Sequence, residues 1–184
     1  MKFLELVQKR QSVRKYLDKP VEREKIERCL EAARLAPSAN NSQPWIFMVI
    51  DDPKLKDAVA RKTFDRVVSF NRFSLQAPVL ILVLSERPSF FSRIGGAIKD
   101  KQFSLIDIGI TAEHLCLQAA EEGLGTCILG WFDEKGVKKL FNIPRSKRVE
   151  LIITMGYPES NQIRPKKRKP INQIRSYNSS ELQK

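Results

Sequence analysis

The sequence predicts a single domain that mixes helices with buried strands. Two long stretches, Glu22 to Ala36 and Phe103 to Glu122, repeat apolar residues at the three-to-four spacing of an α-helix. Four short apolar runs, Trp45–Ile50, Val79–Leu84, Thr126–Leu129 and Val149–Met155, have the length of buried strands. A chain of 184 residues, 42% of them hydrophobic, suits one domain with a real core, or one subunit of an intertwined dimer.

Taken in order, residues 3–10 read as a short helix with Phe3, Leu4, Leu6 and Val7 on one apolar face. Tyr16 to Pro20 connects it to the 22–36 helix. There Ile26, Cys29, Leu30 and Ala33 point inward, and Glu22 and Glu24 suit the positive end of the helix dipole. Asp51-Asp52-Pro53 turns strand 45–50 into a helix over 53–61, with proline at its start. Residues 62–77 show no clear period; Phe64, Val67, Val68, Phe70 and Phe73 either cover a pocket or pack. Val79–Leu84 is apolar throughout, which suits a sheet covered on both faces. The 85–102 stretch, with Phe90, Phe91, Gly95 and Gly96, reads as an irregular excursion and a candidate lid.

The 103–122 helix is apolar around most of its circumference, so it is expected to be central and buried. Its Asp107 is expected to act at the helix amino end, and its His114, the sole histidine, to be a structural donor. Gly123 supplies the left-handed position that ends this helix. Asp133 to Phe141 is amphipathic and capped by Asp133. Gly156-Tyr157-Pro158 closes the last strand. The expected domain is residues 1–172, followed by a polar tail over 173–184.

Composition narrows the function. No run of about 18 apolar residues exists to span a membrane, and the charged amino terminus does not read as a secretory signal. Cys29, Cys116 and Cys127 are odd in number, widely spaced and set among apolar neighbours. They read as reduced core thiols of a cytoplasmic protein, with no disulfide framework and no metal site. The net charge of +12 suits nucleic acid, an anionic membrane or phosphorylated small molecules. Its densest part is Arg164-Pro165-Lys166-Lys167-Arg168-Lys169-Pro170. No aromatic residue interleaves with that cluster, so it does not resemble a stacking platform for single strands, and nucleic acid is not the expected partner.

Three stretches carry candidate chemistry. Arg10-Gln11-Ser12-Val13-Arg14 is either exposed charge or a phosphate grip, in which guanidinium forks and a hydroxyl match phosphate oxygens. Ala36-Pro37-Ser38-Ala39-Asn40-Asn41-Ser42-Gln43-Pro44-Trp45 is a polar loop bounded by two prolines. It is either an ordinary helix-to-strand connector or a surface for a planar polar ligand. Gly123-Leu124-Gly125-Thr126-Cys127-Ile128-Leu129-Gly130 is a helix cap followed by a strand, without the glycine spacing of a dinucleotide fingerprint.

Together and in this order, these stretches resemble the FMN-dependent nitroreductase family: the second its PSxxNxQPW signature, the first its R-x-S-x-R/K motif, the third its segment beside the flavin. The resemblance covers residues 1–172. It implies an α+β fold, with a central mixed or antiparallel sheet of four to five strands surrounded by helices, in an interlocked homodimer. It implies FMN as cofactor and NADH or NADPH as electron donor, with hydride passing through flavin N5 in ping-pong fashion to a small organic acceptor such as a nitroaromatic or quinone. No catalytic side chain is then needed. By resemblance, Arg10, Gln11, Ser12 and Arg14 hold the phosphate and ribityl chain, with Arg14 also near the flavin N1/O2 edge. Lys166 and Arg168, or Lys167 instead, reach the phosphate. Pro37, Ser38, Ala39, Asn40 and Asn41 meet the flavin from the other subunit. Asn71 is the candidate for the pyrimidine edge, where a carboxamide can complement N3–H and a neighbouring carbonyl. The backbone of Leu129 and Gly130 approaches N5, where an N–H stabilises arriving electron density. The same fold hosts dehydrogenases, deiodinating enzymes and flavin-fragmenting enzymes, so reaction does not follow from fold. A flavin-storage protein and a basic nucleic-acid-binding protein are the rivals from other classes.

Overall fold

The computed structural model describes residues 2–86 and 102–178. Five helices and four strands follow in the order α1 (Phe3–Lys9), α2 (Arg23–Arg34), β1 (Trp45–Ile50), α3 (Pro53–Ala60), β2 (Val79–Glu86), α4 (Phe103–Glu121), β3 (Gly125–Leu129), α5 (Glu134–Leu140) and β4 (Lys147–Gly156). The candidate lid at 85–102 lies almost wholly outside the described residues. No described helix is long and apolar enough to cross a membrane.

The strands form one antiparallel sheet in the order β1-β2-β4-β3. Among the described residues the sheet is therefore four-stranded and wholly antiparallel. Its two central strands explain the unbroken apolar run at 79–84. Val79, Ile81 and Val83 face one way, onto α2 and α4 through Cys29, Ala33, Ala112 and Leu115. Leu80, Leu82 and Leu84 face the other way, onto Val59, Ala60 and Val137 of α3 and α5. With helices on both faces, each strand position must be apolar, and the period of two disappears from the sequence. Each strand extends as far as or slightly beyond the sequence expectation, because main-chain pairing continues through Ser85↔Arg148 and Glu86↔Lys147 after the apolar residues end.

Local chemistry sets the helix ends. The Asp52 carboxylate accepts from Leu55 N at 2.9 Å, and that of Asp133 accepts from Gly136 N at 2.9 Å. Gly123 has φ +77°, and Leu124 N returns to the Ala119 carbonyl at 2.8 Å, closing α4. Asp107 departs from expectation. It is the fifth residue of its helix, too far in to cap it, and lies buried. The amino-terminal part of α4 also departs from the expected burial: Phe103, Leu105 and Ile106 are 45%, 45% and 54% exposed in this single chain. In α1, Phe3 and Leu4 are exposed, and no residue of the helix is fully buried. His114 is structural as expected, with Nδ1 3.2 Å from the Ala32 carbonyl.

A charged cluster pins α2 to the end of α4. Arg28 donates to both oxygens of Glu122 at 2.6 and 2.8 Å, while Lys25 Nζ donates to the Glu122 carbonyl and to Tyr157 Oη, each at 2.9 Å. Arg28 holds the Glu122 carboxyl down to about 2, below its ordinary 4.5. A carboxylate depressed in the folded state contributes stability that is full above pH 4.5 and is lost as pH falls toward 2. Glu122→Gln is therefore expected to flatten the acid dependence of stability in that window. The pair is near the surface, so the effect is about 1 kcal/mol or less. Urea midpoints measured from pH 5 to pH 2 for both proteins would check this.

Candidate functional site

The open edge of β3 organises the site. Residues 10–14 run beside it: Ser12 bridges Thr126 in parallel, and Val13 N donates to the Thr126 carbonyl at 2.8 Å. This approach requires Gly125. A Cβ there would lie 2.5 Å from Val13 Cγ2 and 2.7 Å from Val13 Cβ. Below the segment, buried Tyr16 donates to or accepts from Thr154 Oγ1 at 2.6 Å and bonds the Val13 carbonyl at 2.9 Å. Burial pushes its phenol far above the ordinary range, so Tyr16 is a fixed neutral strut.

The basic 164–168 segment lies against residues 10–12, more than 150 positions away in sequence. Arg164 donates to Gln11 Oε1 through its backbone N and its Nε, at 3.2 and 3.1 Å, and through Nη2 to the Ser12 carbonyl. Gln11 Nε2 returns a bond to the Gln162 carbonyl at 2.9 Å. Together the segments enclose a cavity of about 360 Å³ lined by Arg10, Gln11, Ser12, Arg14, Arg164, Pro165, Lys166, Lys167 and Arg168. Six cations thus converge on one hollow. The Lys166 ammonium is pushed below its ordinary pKa by partial burial and by the charges of Arg10 and Arg168. That is the electrostatics of a site built for an anion.

Within the cradle the basic side chains make different contacts. Lys166 lines the hollow, but its ammonium donates to the Val7 carbonyl at 2.6 Å and to the Arg10 carbonyl. These carbonyls end α1, so Lys166 caps that helix and joins the two segments, with one N–H left for an anion. Arg168 is exposed and donates to the Lys167 carbonyl at 2.8 Å. Arg164 was not singled out from the sequence; nothing local marks it off from its basic neighbours. Arg14 forms no ion pair among the described residues, and its guanidinium carbon sits 5.8 Å from the centre of the Phe73 ring.

Phe73 connects the cradle to a second group. It lies on a short 3₁₀ turn, Arg72–Gln76, which follows buried Asn71. Asn71 Nδ2 donates to the Trp131 carbonyl at 3.1 Å. Asn71 is therefore beside the segment that follows β3, where Leu129 is buried and Gly130 exposed. No described acceptor takes the Gly130 N–H, and a Cβ at Gly130 would meet open space.

The proline-bounded loop sits elsewhere. Residues Ala39–Asn41 make a 3₁₀ turn, and Asn40, Asn41 and Gln43 have φ of +52°, +54° and +45°. Left-handed backbone is uncommon without glycine and persists where surrounding bonds impose it. Here Gln43 N donates to Ser38 Oγ at 2.9 Å, Gln43 Nε2 donates to Asn41 Oδ1 at 3.1 Å, and Ala39 N donates to Asp107 Oδ1 at 3.1 Å. Asp107 thus anchors the loop onto α4 in place of capping the helix. Among the described residues, no hydrogen bond or ion pair joins Pro37, Ser38, Ala39, Asn40 or Asn41 to the cradle. The three thiols are inert: burial pushes Cys29 up to about 12 and Cys116 to about 11, and raises Cys127 as well.

The Nitroreductase family model matches residues 7–157, which includes every strand of the sheet and most of the groups above. The chain belongs to the nitroreductase family. An iodotyrosine deiodinase from Thermotoga neapolitana is 31% identical, the alignment covering 95% of this chain and 96% of that protein. Among solved structures, a nitroreductase family protein from Streptococcus pneumoniae superposes with a TM-score of 0.80 at 28% identity, covering 96% of this chain and all of that one. An FMN-dependent nitroreductase from Clostridium difficile superposes with a TM-score of 0.79 at 26% identity, covering 96% and 99%.

Proposed function

We propose that this nitroreductase-family chain is an FMN-dependent NAD(P)H oxidoreductase, working as an interlocked homodimer on a small organic acceptor such as a nitroaromatic or quinone. The observation that carries this reading is the six-cation hollow between residues 10–14 and 164–168. Its concentration of guanidinium and ammonium groups fits a phosphate monoester. The unpaired Gly130 amide and the Asn71 carboxamide fit the polar edges of a flavin ring.

FMN, when bound, would supply the redox chemistry that links a nicotinamide donor to the acceptor. The chain's own groups bind and orient. Arg10, Gln11, Ser12, Arg14 and Arg164 hold the phosphate and its linker, with Lys166, Lys167 and Arg168 closing the basic rim. Arg14 opposes negative charge arriving at the ring, and the Gly130 N–H offers a fixed donor where electron density rises. The backbone amide of Leu129 lies next to it in the chain. Pro37, Ser38, Ala39, Asn40 and Asn41 complete the site of the partner subunit. This assignment fits a rigid, exposed loop with no tie to its own cradle. Exposed Phe3, Leu4, Phe103, Leu105 and Ile106 supply apolar surface for the pairing.

The test is the visible spectrum of the purified protein, taken before and after anaerobic addition of NADPH and then NADH. A flavin spectrum that bleaches with either donor is expected. A colourless protein that also ignores added FMN would remove the reading. The deiodinase relative motivates a second acceptor class, halogenated phenols, distinguishable by halide release from iodotyrosine under the same donor.

A further inference from the structure

We infer that Glu113 is a positioning residue for the anion cradle: it fixes the guanidinium of Arg10 so that its outer nitrogens face the hollow. The inference rests on the FMN reading above, and on geometry that the sequence does not announce. Glu113 lies mid-helix in α4, where an acidic residue reads as solvated surface. In the structure its Oε1 is 3.1 Å from Arg10 Nε. That Nε is buried and has no well-aligned hydrogen bond, so the ion pair with Glu113 is what accounts for its charge. The Arg10 side chain is 22% exposed. Its two outer nitrogens donate to no described acceptor, while the residue lines the cavity.

A guanidinium is planar and rigid, so holding one edge dictates where the opposite edge points. Glu113 holds the Nε edge, leaving the outer fork pre-set for two oxygens of a phosphate. The Arg10 carbonyl is held in turn by Lys166, so backbone and side chain are fixed from two sides. Among the described residues, Glu113 is also the carboxylate that acts on Lys166, partly offsetting the burial and the charges of Arg10 and Arg168 that lower it. Two effects therefore oppose each other. Its negative charge repels a phosphate nearby, and its grip orients Arg10. Orientation is expected to win, because the pair is in contact whereas the phosphate sits beyond the guanidinium and is screened by six cations.

The experiment is equilibrium binding of FMN and of riboflavin, which lacks the phosphate, to apo-protein by flavin fluorescence quenching. Wild type, Glu113→Ala, Glu113→Gln, Arg10→Ala and the Arg10→Ala/Glu113→Ala double variant are compared. Glu113→Ala is expected to weaken FMN on the order of tenfold, as removal of an outer partner does for other held ligands, and to leave riboflavin unchanged. Glu113→Gln, which keeps the side chain's shape but removes the charge of the ion pair, is expected to lose FMN affinity nearly as far as Glu113→Ala. In the Arg10→Ala background, removing Glu113 is expected to have no further effect. Equal loss for FMN and riboflavin would mean a merely structural role. Tighter FMN binding in both Glu113 variants would mean that charge repulsion dominates. Either result overturns the inference. If wild type binds neither flavin, the FMN reading itself has failed, and that outcome is distinct from wild type preferring FMN while Glu113→Ala keeps the same preference.

Discussion

Gly125→Ala is expected to destabilise the protein by about 1–3 kcal/mol and to loosen the cofactor cradle at the same time. The added Cβ would stand 2.5, 2.7 and 2.9 Å from Val13 Cγ2, Cβ and Cγ1. These atoms belong to a short branched side chain, so no flexible end can swing away and the backbone must move. Movement of Val13 breaks its 2.8 Å bond to the Thr126 carbonyl and shifts Ser12 and Arg14, its chain neighbours. It also pulls the Val13 carbonyl from Tyr16 Oη, leaving a buried polar pair less satisfied. A core overpacking elsewhere would lower the melting temperature with FMN and without it by the same amount. Here the shift is expected to be larger with FMN present, because the ligand's contribution to stability falls with its affinity. Thermal melts of both proteins with and without FMN would measure this. An unchanged stabilisation by FMN in the variant would separate the β3 edge from the ligand site.

How much of this could be read from the chain depended on whether the signal was local. The strands were legible as short apolar runs, most plainly in β2, where two covered faces force Val79 to Leu84 to be apolar. Their order and antiparallel register were not, since a run without alternation carries no face and no direction. Helix ends were legible at Asp52, Asp133 and Gly123, where one residue decides the geometry. Residues 62–77 resisted reading because their order comes from buried polar contacts, Thr63 Oγ1 with Ser74 Oγ at 2.9 Å and with the Ala60 carbonyl at 2.8 Å, and such contacts have no period. The candidate site divides in the same way. Arg10 to Arg14 and the 164–168 segment were each visible as charge, and the fold sets the two side by side. What the individual charges do was hidden. Arg164 and Lys166 are only two positions apart, yet Lys166 caps α1 and Arg164 clamps Gln11 and Ser12. Asp107 showed itself as an acid among isoleucines, a signal for a buried task, but its partner at Ala39 lies 68 positions away.

Arg14→Ala is expected to weaken FMN binding by about 1.5–3 kcal/mol, the range for a hydrogen bond to a charged group, which is roughly ten- to a hundredfold in Kd. Folding is expected to be little affected. Arg14 is exposed and makes no ion pair among the described residues, so removing it leaves no buried partner uncompensated. Its observed contact is the Phe73 ring at 5.8 Å, a cation–π geometry that at an exposed site contributes about 0.5–1 kcal/mol and biases the guanidinium toward the Asn71 side of the cradle. That bias separates two possible roles. If Arg14 serves only the phosphate, Arg14→Lys keeps the charge near the rim and restores most of the affinity. If it also opposes charge on the reduced flavin ring, both variants lower the flavin midpoint potential, because the oxidised and reduced forms lose unequal stabilisation. Phe73→Leu then reproduces a smaller part of the same potential shift without touching any charge. Binding titrations and spectroelectrochemistry on these three variants decide between the roles, and wild-type affinity in Arg14→Ala would take the residue out of the site.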